Sequence, residues 1–160
     1  MKTTVIYTAA FFILCLTGMK CKKTILEPKQ ELPAETMEGK RTFGCLVNGN
    51  IWLFRDKFPY SGLTTGIQFE ILNLSAIRGN DAILIGVRNM NKTGDYSLTK
   101  EDNEFTFDNI KYTCAEGLIT ITKYDKVNKI ISGRFWFKGK NENGETVNIE
   151  NGRFDVKFTN

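Results

Sequence analysis

The chain has 160 residues, a length that argues for one domain. With 41% hydrophobic and 25% charged residues it has the composition of an ordinary globular protein, which excludes a largely disordered chain. A net charge of +4 without a long basic run gives no basis for nucleic-acid binding, and the absence of histidine removes the commonest general base and the commonest metal ligand.

Residues 1–20 read as a lipoprotein signal peptide. Lys2 supplies a short positive region, and Val5 to Leu16 is an apolar run long enough for a signal and short for a transmembrane span. Leu16-Thr17-Gly18-Met19-Lys20-Cys21 looks like a degenerate lipobox, with Cys21 as the acylated residue and Cys15, deeper in the apolar run, as the competing position. Two or three acyl chains, each contributing roughly 0.8 kcal/mol per buried CH₂, would hold a protein stably at a membrane. Processing at Cys21 removes Lys2 and Lys20 and no acid, so the charge falls to +2, from 20 basic and 18 acidic residues. Residues 21–41 are polar, hold Pro28, Pro33 and four glutamates, and show no sustained period, which predicts a flexible tether.

From Thr42 to the C-terminus the pattern is that of short strands rich in Ile, Val, Phe, Thr and Tyr, separated by Asn, Gly and Asp. Phe43, Cys45 and Val47 share a face, Asn48-Gly49 is a strong hairpin signal, and Ile51–Phe54 returns. A loop over 57–65 precedes one long strand over 66–77. A turn at 78–81 leads into 82–88, with Ile83, Ile85 and Val87 in phase. Strands follow over 95–99 and 104–108, and Asp108-Asn109 turns into 110–115. Glu116-Gly117 reads as a further turn into 118–124, and 125–128 turns into 129–138. In the last segment, 146–158, the apolar residues switch from odd (Val147, Ile149) to even (Phe154, Val156, Phe158). Period 2 cannot put both sets on one face, so Asn151-Gly152 marks either a hairpin or, preferred on strand lengths, a bulge with the glycine in the left-handed region. The expected fold is all-β: an antiparallel meander of about nine or ten strands over 42–160, closed as a barrel or folded as a two-layer sandwich.

Three stretches, TFGCLVNGNIW at 42–52, LITITKYDKVNKIISGRFWF at 118–137 and ETVNIENGRFDVKF at 145–158, resemble the signature segments of a family of uncharacterised Bacteroidota envelope lipoproteins. The resemblance implies an all-β lipoprotein of the cell envelope, anchored to the outer membrane by its N-terminal lipid, and carries over no catalytic residue.

Outside those stretches few residues point to chemistry. Cys45 and Cys114 are an even pair in an exported domain, open to a disulfide or to two buried free thiols. Glu101, Asp102, Glu104 and Asp108 cluster around a turn but lack EF-hand spacing, so no metal is expected, and no motif calls for a cofactor. The sequons at Asn73 and Asn91 carry no weight in this context. The aromatics Trp52, Phe54, Tyr60, Tyr124, Phe135 and Trp136 could stack sugars or line a pocket. Among them Trp136 stands out. It is out of phase with Phe135 and Phe137, whose parity is shared by Ile131 and Gly133, so it should point outward between Arg134 and Lys138. The expectation is a non-enzymatic, lipid-anchored protein that binds a ligand or protein partner. The alternative is a small lipid-anchored glycan-acting enzyme, which would need two facing carboxylates about 5–9.5 Å apart; no such pair stands out in the sequence.

Overall fold

Alternation of apolar and polar side chains makes every segment from Thr42 onward a strand with one face to bury, and in the computed structural model these strands form one continuous antiparallel sheet. The structure describes residues 30–56, 62–98 and 102–160. Its strands are β1 (Thr42–Val47), β2 (Asn50–Leu53), β3 (Leu63–Gln68), β4 (Ile71–Arg78), β5 (Asp81–Val87), β6 (Gly94–Ser97), β7 (Asn103–Phe107), β8 (Ile110–Asp125), β9 (Ile130–Lys140) and β10 (Thr146–Lys157). The lateral order is β2-β1-β10-β9-β8-β7-β5-β4-β3, with β6 also paired to β8.

The sheet curls into a half-barrel, and hydrogen bonds bridge its open side. Past β10, Thr159 forms a parallel bridge to Gly66 of β3, with Ile67 N–H donating to the Thr159 carbonyl at 2.8 Å. Past β2, Arg55 N–H donates to the Ile77 carbonyl of β4 at 2.9 Å. The indole of Trp52 on β2 reaches Asp81 on β5, which also accepts from Arg78 at 3.0 Å and from Asp108 N–H at 3.2 Å. Both sheet ends thus find partners, which removes the exposed edges an open sheet would present.

The concave side is filled with side chains. Trp52, Phe43, Phe105, Phe137, Leu72 and Leu74 are among its fully buried members. Phe43 is the hinge of an aromatic group, edge-on to Trp52 at 6.1 Å and tilted against Phe135 at 5.1 Å between ring centroids.

The all-β architecture agrees with the sequence, and three local readings are corrected. The strand expected over 66–77 is two strands joined by a tight turn at Phe69-Glu70, both with positive φ (51° and 60°). The buried set changes parity there, from Leu63, Thr65 and Ile67 to Leu72, Leu74 and Ala76; of the expected 57–65 loop, 57–61 lie outside the described residues. The turn expected at Glu116-Gly117 does not exist: β8 runs unbroken for 16 residues, with irregularities at 115 and 122 that restore its phase. Gly117 is required by close packing instead, since a Cβ there would sit 2.5 Å from that of Phe137. In β10 the bulge is present and the hairpin is not, but Asn151 takes the left-handed conformation (φ 50°) in place of Gly152. Gly152 serves the neighbouring ring, because a Cβ would lie 2.6 Å from three ring carbons of Phe135. Gly133 does the same for Phe154, whose ring lies 2.9 Å from where a Cβ would stand.

The Gly152→Ala variant should therefore lose about 1–3 kcal/mol in a denaturant melt, the usual cost of overpacking a filled core, because the Phe135 ring cannot move without displacing Phe43 and Phe154.

Candidate functional site

Strand phase fixes the site. On β9, Phe135 and Phe137 face the core at 3% and 0% exposure, while Trp136 stands on the outer face at 42%. Its neighbour on β8 is Leu118. On its other side β10 bulges: Ile149 pairs with Phe137 and Gly152 with Phe135, so Glu150 and Asn151 together face Trp136. Two residues opposite one bend the strand away locally, and a shallow cleft lies there, lined by Leu118, Thr120, Arg134, Trp136, Asn151 and Arg153. The two features that sequence reasoning singled out separately, the bulge and the out-of-phase tryptophan, are cross-strand neighbours.

The flanking cations are where phase puts them, and each has an acidic partner within the chain. Lys138 pairs with its cross-strand neighbour Glu116 at 2.6 Å, and this hydrogen bond and charge raise the lysine pKa. Arg134 Nε meets Glu35 at 2.8 Å. Glu35 belongs to the segment ahead of β1, which therefore forms one wall of the cleft.

That segment is fastened by a residue sequence reasoning missed. Asp155 on β10 has the outward parity, opposite Ser132 on β9, yet it is 1% exposed because residues 36–40 lie over it. Its carboxylate accepts from Thr36 Oγ1 at 2.5 Å, Ser132 Oγ at 2.7 Å, and the backbone N–H groups of Gly39 (2.7 Å), Glu38 (3.0 Å) and Lys40 (3.2 Å). Positive φ at Gly39 (74°) and Arg41 (59°) lets the backbone wrap its amides around the anion. Further back, Arg153 donates to the Pro33 carbonyl at 3.3 Å, and Pro33 packs where a side chain on Gly44 would otherwise be. The segment read as a flexible tether is thus docked from Pro33 to Lys40; residues 1–29, and with them Cys15 and Cys21, lie outside the described residues.

Residues 62–156, more than half of the chain, match the family described as Domain of unknown function (DUF6252). The chain belongs to the DUF6252 family. Among curated proteins and solved structures nothing matches it. The DUF6252 span contains Trp136, the bulge, Ser132 and Asp155. It leaves out the β1–β2 hairpin and residues 36–40, which Asp155 fastens to the DUF6252 sheet.

The remaining candidates in the DUF6252 chain are structural. Cys45 and Cys114 are buried free thiols. Three strand spacings of about 4.8 Å separate β1 from β8, more than the roughly 7 Å between Cα atoms that a disulfide tolerates. Burial pushes the thiol of Cys45 up to about 12 and that of Cys114 up to about 11, so neither is a ready nucleophile. In the acidic cluster, Asp102 forms a two-pronged pair with Arg88 at 2.7 and 2.8 Å, whose hydrogen bonds hold its carboxyl below the usual range. Glu104 pairs with Lys111, and Glu101 lies outside the described residues. Among the described residues no group of three potential ligands is placed to hold a metal. Of the six aromatics considered, Trp52 and Phe135 are core, Phe54 lies beneath Arg41, Tyr124 packs on Phe158, and Tyr60 falls outside the described residues.

Burial raises the Asp155 pKa, but the hydroxyls of Thr36 and Ser132 and the amides of Glu38 and Gly39 outweigh it and bring the group down to about 2. A lowered native pKa contributes stability that is complete above the unfolded value near 3.9 and lost as pH falls toward about 2. Unfolding free energy should accordingly fall by about 2 kcal/mol between pH 4.5 and pH 2 through this group. Asp155→Asn should remove that component of the pH dependence and cost about 2–3 kcal/mol at pH 7, read by denaturant melts across the pH series.

Proposed function

We propose that this chain is a non-enzymatic cell-envelope lipoprotein, held at the outer membrane by acyl chains on Cys21, and that its β domain binds a ligand or protein partner on the outer face around Trp136. The observation that carries the reading is the cleft between Trp136 and the β10 bulge, set on the outside of a sheet whose concave side is filled by its own side chains. A filled interior leaves the outer surface as the place for recognition. There a half-exposed indole flanked by Arg134 and Lys138 offers a flat apolar face with charged groups at its edge, suited to a sugar ring or an aromatic or planar side chain. The N-terminal apolar run and the likeness to Bacteroidota envelope lipoproteins support the anchor.

The non-enzymatic part of the reading draws on the carboxylates. Among the described residues the two most buried acids, Asp155 and Asp81, are saturated by donors that hold the fold together. Of the exposed acids near Trp136, Glu35 and Glu116 are tied up in ion pairs with Arg134 and Lys138, while Glu150 stands on the bulge beside the indole. Asp155, Asp81, Glu35 and Glu116 are thus engaged by donors or cations, whereas the acid of a glycosidase pair must be free to hold and pass a proton.

Metabolic labelling with a fatty-acid analogue should mark the wild-type chain and be lost in Cys21→Ala; retained labelling points to Cys15. Trp136→Ala should cost about 1 kcal/mol in a denaturant melt, well below the roughly 3–5 kcal/mol of a buried tryptophan. The same variant should weaken retention on isolated envelope glycans at least tenfold. A large stability loss with unchanged retention contradicts the assignment.

A further inference from the structure

The two ends of the half-barrel differ in a way the Trp136 cleft does not use. At one end lie the turns Asn48-Gly49, Gly79-Asn80, Asp108-Asn109 and 141–145, all polar and all built from residues that suit them. At the other end lie the β3–β4 turn, the β5–β6 loop, the β8–β9 turn and the end of β10. These are contiguous: Met90 N–H donates to the Glu70 carbonyl at 2.8 Å, and Lys92 and Lys126 line one shallow depression over Tyr124.

On this second rim the tips are apolar. Phe69 and Val127 are 88% and 90% exposed, the two most exposed large hydrophobic residues among the described ones. Phe69 breaks the local rule for its turn. It sits at φ 51°, a conformation that costs an ordinary L-residue roughly 1–2 kcal/mol and that the Asn-Gly and Asp-Asn turns of the opposite rim fill with permissive residues. At 88% exposure it gains almost nothing from the core in return. A locally unfavourable and solvent-exposed aromatic is the mark of a residue kept for contact. Around the tips stand the exposed cations Lys92, Lys126, Lys129 and Lys157. Of the acids nearby, Asp125 is occupied in capping its own turn and Glu38 in a pair with Lys40, which leaves Glu70.

We propose that this rim docks on an anionic phospholipid bilayer, with Phe69 and Val127 entering the headgroup layer and the lysines lying against lipid phosphates. Apolar tips ringed by lysines match the two attractions of such a surface, partial burial of apolar side chains and charge at the headgroups. Chain length permits this together with an anchor at Cys21: the twelve residues from there to Pro33 span at most about 40 Å when extended. The 11 residues of β9 span about 36 Å, so the anchor can reach the level of the rim from the docked segment. The docking does not require the Trp136 assignment; it sets that cleft at the side of the domain, facing along the membrane and not into it.

The test uses the full chain in vesicles of phosphatidylcholine with 30% phosphatidylglycerol carrying brominated acyl chains, which quench nearby indoles. Phe69→Trp is compared with Ile110→Trp on the opposite rim, each corrected for Trp52 and Trp136. Quenching at position 69 should exceed that at 110 at least threefold. It should drop to the 110 level in phosphatidylcholine alone and in Phe69→Trp carrying Lys126→Glu and Lys129→Glu. Equal quenching at both positions in a chain that still floats with the vesicles overturns the docking and leaves the lipid anchor standing. Preferential quenching at 69 that persists in Cys21→Ala supports the docking and counts against Cys21 as its cause. Undiminished quenching in neutral vesicles overturns the anionic-lipid assignment.

Discussion

A carboxylate buried inside a protein must be surrounded by donors or it costs several kcal/mol, and the placement of Asp155 makes the rest of this structure follow from that rule. By strand parity Asp155 belongs on the wet side of β10. Residues 36–40 cover it, and in doing so supply one hydroxyl and three amides to its two oxygens, with Ser132 of β9 as the fifth donor. The clamp fixes where the folded unit begins. It also lays the preceding residues across β10, so that Pro33 reaches Arg153 and Gly44, and Glu35 reaches Arg134. One wall of the Trp136 cleft is therefore a consequence of a bond network formed elsewhere, and loosening the clamp would open the cleft without touching the tryptophan.

A second constraint is steric. Where β9 and β10 pair, each strand gives up a side chain to admit an aromatic ring from the other: Gly133 faces Phe154 and Gly152 faces Phe135. The bulge between Ile149 and Gly152 sets the register that brings these pairs together, and the same bulge stands opposite Trp136. Core packing on one face of the sheet and the cleft on the other are thus two sides of one irregularity. The stretch NGRFDV holds much of what β10 contributes: Asn151 with its positive φ, Gly152, Arg153, Phe154 and Asp155.

Much of this was legible in the sequence because period 2 is a strict rule. The outward direction of Trp136 and the break in phase at 151–152 follow from parity, and strand lengths favour a bulge there over a hairpin. The errors came where turn chemistry was trusted over parity. Phe69-Glu70 carries none of the usual turn residues, yet the change from Ile67 to Leu72 as the buried member announced the reversal. Glu116-Gly117 looks like a turn but pairs with Lys138 and Phe137, because Gly117 is small for the sake of close packing and not for a bend. Asp155 was beyond such reasoning. An acid at an outward strand position is ordinarily solvated, and only a contact 115 to 119 residues away in sequence turns it into a buried anchor. The cysteines were likewise open, since nothing local tells that three strand spacings separate β1 from β8.

The central claim is that the domain begins with a segment locked onto Asp155 and not with a free spacer. Amide hydrogen exchange of Glu38, Gly39 and Lys40 tests it most directly, since these three N–H groups have the carboxylate as their acceptor. The account predicts protection approaching that of the β9–β10 ladder, because those amides exchange only when the clamp opens. Exchange of all three at the rate of an unstructured chain, while β9 and β10 remain protected, would contradict it.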